Sequence, residues 1–256
     1  MCRLLGYLGQ PLLLDQILTQ PDHSLIVQSY QPREMTAGLL NADGFGIGWY
    51  HAQRQTQPFT YRSILPIWND VNLPSLSRYV ESGCVVANVR SATPGLAVDL
   101  SNCQPFQQNL ILFTHNGFVQ NFRQTLYRPL RDRLSDVAYQ TISGLTDSEH
   151  IFALFLDFVQ QGLELSAAIA KTLQTLTELA EKYKTTFSAN LLVSDGQRLV
   201  ACRYASTVVT PTLYMLSQPT GHLIASEPIF AGEWKALPDR TIVTVRYDHD
   251  FIVESL

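Results

Sequence analysis

The chain has 256 residues, 46% of them hydrophobic and 16% charged, with a net charge of −4 at pH 7. That length buries a sizeable core, and so apolar a composition excludes a disordered chain. The weakly negative balance, without a basic stripe, excludes nucleic acid and anionic membrane surfaces as partners, and no apolar run approaches the roughly 18 residues of a membrane span.

Residues 2–9 read as a strand with Cys2, Leu4, Gly6 and Leu8 on one face. Residues 10–40 carry Pro11, Pro21 and Pro32 and read as irregular, with one short helix over Leu12–Leu18. Asn41–Gly44 is a turn feeding an aromatic-rich strand to Tyr50, and a second strand follows over Phe59–Ser63. A short helix is expected over Asp70–Glu81, then a β-branched strand over Cys84–Arg90 and a loop over 91–106. The strand Leu110–Thr114 leads into His115-Asn116-Gly117. Apolar residues at helical spacing predict helices over Ser148–Gln160 and Leu165–Tyr183, the first opening at Thr146-Asp147-Ser148-Glu149. Strands at Asn190–Ser194 and Arg198–Tyr204 flank Asp195-Gly196, a type I′ hairpin signal. More strands are expected at Thr212–Leu216, His222–Ala225 and Thr241–Arg246. Strands, a central helix pair and strands again suggest two antiparallel sheets covered by helices in one domain over 2–256.

The processing and cysteine signals are negative. Arg3 ahead of leucines mimics a secretory signal, but Gly6, Gly9, Gln10 and Pro11 break the run and no cleavage site follows, so the cytoplasm is expected. Cys2, Cys84, Cys103 and Cys202 show no Cys-x-x-Cys spacing, and the histidines show no paired ligand spacing. Neither a disulfide framework nor a metal site is expected.

Five places carry chemistry, each with a plainer alternative. With Met1 removed, Cys2 would carry both a thiol and a free α-amine, a nucleophile and a base in one residue. It also reads as an ordinary apolar residue opening a strand. Asp43–Gly48 is glycine-rich but continues as a strand, which argues against a dinucleotide fingerprint and favours a tight turn or the wall of a site. Arg90, leaving a buried strand, suits bidentate binding of a carboxylate or a surface ion pair. His115-Asn116-Gly117 reads as a hairpin turn, or as an Asn amide and a Gly N–H exposed together as an oxyanion hole; the residues after it do not read as a return strand. Asp147 is a helix cap or the partner of an ammonium group.

In this order, Met1-Cys2-Arg3-Leu4-Leu5-Gly6-Tyr7, Asp43–Trp49, Val89–Thr93, His115-Asn116-Gly117, Thr146–Glu149 and Ala225-Ser226-Glu227-Pro228 resemble the class II glutamine amidotransferases. These are N-terminal-nucleophile hydrolases, and the likeness is nearest to the stand-alone branch with the γ-glutamyl amidohydrolase of ergothioneine biosynthesis. The resemblance implies an α+β fold, a four-layer αββα sandwich of two antiparallel sheets flanked by helices. It implies Cys2 as nucleophile with its α-amine as base, and Asn116 with Gly117 N–H as the oxyanion hole. Arg90 would take the α-carboxylate of a glutamyl substrate and Asp147 its α-ammonium, with Thr93 and His115 also at the substrate. No cofactor and no metal are implied. The chain departs from the family pattern at Asn88 and Gln104, where relatives commonly carry histidine, and at Phe45, where tryptophan is usual.

The expected activity is cleavage of the γ-glutamyl amide of glutamine or of a γ-glutamyl conjugate through a thioester on Cys2. The alternatives are a glutaminase subunit supplying ammonia to a separate synthase partner, and a catalytically silent γ-glutamyl-binding protein. The sequence leaves the oligomeric state and the leaving group open.

Overall fold

Alternation along one strand organises the architecture. In β1 (Arg3–Leu13), Leu4 and Leu8 point to one side and Leu5 and Tyr7 to the other, and all four are buried. A strand buried on both faces must lie between two packed layers. The computed structural model describes residues 2–35, 38, 40–51, 55–92, 98–247 and 250–256.

After β1 come the short helices α1 (Asp15–Leu18) and α2 (Leu25–Tyr30), then β2 (Phe45–His51), β3 (Gln55–Ser63), α3 (Leu73–Tyr79) and β4 (Glu81–Val89). β5 (Phe106–Gln108) and β6 (Ile111–Val119) precede three short helices, α4 (Phe122–Thr125), α5 (Tyr127–Arg131) and α6 (Asp136–Tyr139). The long helices are α7 (Asp147–Gln160) and α8 (Leu165–Lys182). Then follow β7 (Phe187–Ser194), β8 (Arg198–Arg203), β9 (Tyr214–Gln218), β10 (Gly221–Ala225), β11 (Lys235–Ala236), β12 (Thr241–Arg246) and β13 (Phe251–Ser255).

The strands form two sheets, ordered β11-β9-β10-β1-β4-β2-β3 and β13-β12-β8-β7-β6-β5. Every pairing is antiparallel. Three separate cores show how they stack. Leu4, Leu8, Val86, Leu112, Leu192 and Val243 fill the space between the sheets. Leu5, Tyr7, Phe45 and Val85 of the first sheet meet Leu14, Ile17, Leu25 and Leu73 of the small helices. Phe113, Leu191 and Val193 of the second sheet meet Ile151, Phe155, Ile169 and Leu176 of α7 and α8. Three apolar interfaces make four layers, helix–sheet–sheet–helix, the order expected from the sequence. Among the described residues no helix is long and apolar enough to cross a membrane.

Three local expectations change. Residues 25–30 form α2 within the stretch read as irregular, capped where the Ser24 side chain accepts a hydrogen bond from Val27 N–H. His115-Asn116-Gly117 is no turn, because β6 runs on to Val119 and pairs with β7 throughout. At Asp195-Gly196 only the glycine has positive φ, and the Asp195 carboxylate takes the amides of Gln197 and Arg198. A type I′ turn needs positive φ at both central residues, so the side chain shapes this loop instead.

Helix α7 is fixed over β6 by aromatic packing. Phe113 lies 5.0 Å from the Phe152 ring and 5.7 Å from Phe155, pairs that contribute roughly 0.5–1.5 kcal/mol each beyond their burial. Its first turn holds His150, whose Nδ1 donates to Thr146 O at 2.7 Å while its ring abuts Phe122 and Tyr127. Burial, with Arg131 adding to it, pushes this imidazole down to about 4 against the Thr146 bond and the Asp147 charge. A folded pKa below the unfolded value of about 6.5 means stability is present at neutral pH and is lost as pH falls from about 6.5 to 4. We expect roughly 3 kcal/mol of unfolding free energy to go in that window on this account. Urea titrations at pH 7 and 4 should show it, and His150→Phe should flatten the difference.

Candidate active site

The site forms at the beginning of β1, where the register brings distant segments together. Arg3 pairs with Val89 in β4, and continuing that antiparallel register by one residue sets Cys2 beside Arg90. On the other flank Ser226 N–H donates to Leu4 O at 3.0 Å, and Leu4 N–H donates to Ser226 Oγ at 3.0 Å. Cys2 is half-buried, whereas Cys84, Cys103 and Cys202 are buried. Burial pushes the thiols of Cys84 and Cys202 up to about 12 and raises that of Cys103. Cys103 lies within electrostatic reach of Arg90 and of Cys2.

Arg90 is 4% exposed, so the surface ion pair considered for it is absent. The turn before β2 clamps it. Arg90 N–H donates to Gly44 O at 2.8 Å, Asp43 N–H to Arg90 O at 3.1 Å, and Arg90 Nη1 to Asp43 O at 3.2 Å. The Asp43 carboxylate accepts from Ala92 N–H at 2.7 Å. Gly44 has φ +110°, and a Cβ there would meet Cys103 Sγ at 2.6 Å and Ser63 O at 2.8 Å. The glycine-rich turn is therefore left-handed at Gly44 and packed closely beside Arg90 and Cys103. Thr93 lies outside the described residues, as does Met1.

β6 supplies the opposite wall. Asn116 is fully buried and faces the first sheet, where its Nδ2 donates to Ser226 Oγ at 3.2 Å. One amide proton of Asn116 is thereby spent next to Leu4, and among the described residues no hydrogen bond takes the other. Gly117 has no room for a side chain, because a Cβ would sit 2.0 Å from Ser188 O and 2.5 Å from His115 Nε2. β5 begins at Phe106, opposite Phe113, so among the described residues the edge of β6 away from β7 has no strand against it beyond that point. Along this open edge His115 N–H donates to Gln104 Oε1 at 2.6 Å and Val119 N–H donates to Asp147 Oδ2 at 2.7 Å. Strand alternation aims the Gly117 N–H at the same edge, between those two.

Asp147 is the first residue of α7 rather than its cap. The cap is Thr146, whose Oγ1 accepts from Glu149 N–H at 3.2 Å. Asp147 instead bridges, taking Val119 N–H with one oxygen and Ser148 N–H at 2.8 Å with the other. It is half-buried and sits at the positive end of the helix, where a carboxylate is favoured. His115 faces the helix layer. Its Nδ1 meets Ser148 Oγ at 2.9 Å and its Nε2 meets Ser188 O at 3.1 Å, so both ring nitrogens are taken by the protein. Burial lowers its pKa against the Asp147 charge and the Ser188 bond, and the ring is neutral with its proton on Nε2.

The sequence reading passed over a buried network on the far face of β1. Arg3 is fully buried and its Nη1 lies 3.1 Å from Glu227 Oε1. Glu227 also takes His23 Nε2 at 2.7 Å and the amides of Arg33 and Glu34 at 2.9 and 3.0 Å. Burial raises the Glu227 carboxyl, but these donors and Arg3 outweigh it and hold it below the usual range. The available signal was a lone arginine inside an apolar strand, which requires a buried carboxylate.

Comparison with known proteins identifies the family. The family model for class II glutamine amidotransferases matches residues 1–243. The γ-glutamyl-hercynylcysteine sulfoxide hydrolase of Mycolicibacterium smegmatis is 33% identical over 97% of both chains. The probable glutamine amidotransferase DUG3 of Saccharomyces cerevisiae is 30% identical over 96% of this chain and 82% of its own. A class II glutamine aminotransferase domain protein from Silicibacter pomeroyi superposes with a TM-score of 0.74 at 25% identity, covering 100% of this chain and 99% of that one. A model match of this extent, together with relatives of 30% identity or more along nearly the whole chain, makes this protein a member of the class II glutamine amidotransferase family.

Proposed function

We propose that the protein hydrolyses the γ-glutamyl amide of glutamine or of a γ-glutamyl conjugate through a thioester on Cys2, acting as a single domain in the cytoplasm. What supports this reading is that Arg3, the residue after Cys2, pairs with Val89, the residue before the buried Arg90, and that Leu4 and Asn116 share Ser226. A relative named for hydrolysis of γ-glutamyl-hercynylcysteine sulfoxide supports a conjugate as substrate.

Removal of Met1 frees the α-amine of Cys2, which accepts the thiol proton as the sulfur attacks the γ-carbonyl carbon. Negative charge develops on the carbonyl oxygen, where the remaining Asn116 amide proton and the Gly117 N–H stabilise it. Arg90 pairs with the substrate α-carboxylate, with Thr93 following it in the same segment, and Asp147 pairs with the α-ammonium. His115 holds Ser148 and hence the first turn of α7. The C–N bond breaks as the α-ammonium of Cys2 returns the proton to the departing amine. Water, deprotonated by the same α-amine, then attacks the thioester carbonyl; the C–S bond breaks, the Cys2 sulfur takes the proton back from the α-ammonium, and glutamate leaves.

The test is a panel of γ-glutamyl compounds, glutamine included, given to protein whose N-terminus has been verified, with products read by mass spectrometry. Glutamate release from a conjugate is the expected result. Turnover of glutamine only in the presence of a synthase would favour the ammonia-supplying subunit, and binding without turnover would favour the silent protein. For an active substrate, Asn116→Ala should lower kcat by about 10²–10³.

A further inference from the structure

The open edge of β6 has an order that the family assignment does not explain. Three successive outward amides, those of His115, Gly117 and Val119, face a region no strand covers. The outer two are held by side chains from elsewhere in the chain, Gln104 at 2.6 Å and Asp147 at 2.7 Å. Both bonds are short for N–H···O. Gln104 is 3% exposed and its own backbone is pinned, because a Cβ at Gly46 would come within 2.3 Å of Gln104 O. The side chain therefore starts from a backbone packed against the first sheet and bonds to the edge of the second.

We propose that Gln104 is a positioning residue for the oxyanion donor: it fixes the edge of β6 on one side as Asp147 does on the other, leaving the Gly117 amide to the substrate. The inference rests on the reading of Gly117 N–H as that donor. An oxyanion donor acts only when held within a fraction of an ångström of the developing charge, and a strand edge with no neighbouring strand does not supply such rigidity itself. Asp147 is needed for the substrate ammonium in the same reading, so Gln104 is the one support with no other task. It touches no substrate atom.

The test compares wild type, Gln104→Met, Gln104→Glu and Asn116→Ala, with an active γ-glutamyl substrate for kinetics and glutamate for binding. Gln104→Met removes the acceptor at similar length, and Gln104→Glu keeps one at the same reach. The expected result is a fall in kcat of roughly 10–100-fold for Gln104→Met, with KM and glutamate affinity within about twofold, and substantial recovery in Gln104→Glu. A kcat for Gln104→Met within about threefold of wild type overturns the proposal, and so does a parallel loss of kcat and glutamate binding. If Gln104→Met fails to fold, Gln104→Glu decides: wild-type-like kcat supports the role and a loss like that of Asn116→Ala overturns it. Should Asn116→Ala itself leave kcat unchanged, the oxyanion reading fails, a result separate from any outcome at Gln104.

Discussion

Cys2→Ala will bring turnover of every γ-glutamyl substrate to background while substrate affinity stays within about threefold. Removing a covalent nucleophile takes away the whole low-barrier route, a loss on the order of 10⁴-fold or more. No other thiol can substitute. Cys84 and Cys202 are buried with pKa values pushed up to about 12, and Cys103 is buried and raised as well, so none offers an accessible thiolate at neutral pH. The check is intact-mass spectrometry of wild type after exposure to a glutamine-like electrophile. One adduct at Cys2 is expected. Labelling at Cys84 or Cys103, or residual turnover in Cys2→Ala, would remove Cys2 from the mechanism.

The largest effect on stability belongs to Arg3→Met. Arg3 and Glu227 are 0% and 1% exposed, and two nitrogens of the guanidinium, Nε and Nη2, find no partner among the described residues. A buried pair bonded so incompletely adds little over an apolar pair of the same shape, but removing one member strands the other's charge. The single substitution should therefore cost about 3–5 kcal/mol, whereas Arg3→Met with Glu227→Leu should recover much of it. Urea unfolding of the three proteins decides the matter. Equal losses in the single and the double variant would mean that the hydrogen bonds from His23, Arg33 and Glu34 to Glu227 matter more than the ion pair.

Much of the layer order was legible because each long helix carries its own period and the buried strands read as short apolar runs. The apolar run that opens β1 and the helical spacing of Ile151, Leu154, Phe155 and Phe158 identify their elements locally. Asn116 was visible as a candidate amide, but its anchoring to Ser226 depends on β10 lying beside β1, a pairing of residues more than two hundred positions apart that no local pattern encodes. Gln104 shows the same limit. A glutamine in a polar loop has no periodicity, and its role appears only once the edge of β6 is known to lack a neighbour. His115-Asn116-Gly117 misled for another reason. Asn-Gly favours turns through local backbone preference, and here eight paired positions with β7 override it.

The pairing of β1 with β10 has a kinetic meaning. Residue 2 meets its final neighbours only after residues 221–227 have left the ribosome, and at about 5–20 residues per second that is a delay of tens of seconds. Throughout that interval the N-terminus belongs to an unfinished chain, open to the enzyme that removes methionine. On the proposed reading of Cys2, this topology lets the amine be freed before the strand closes over it.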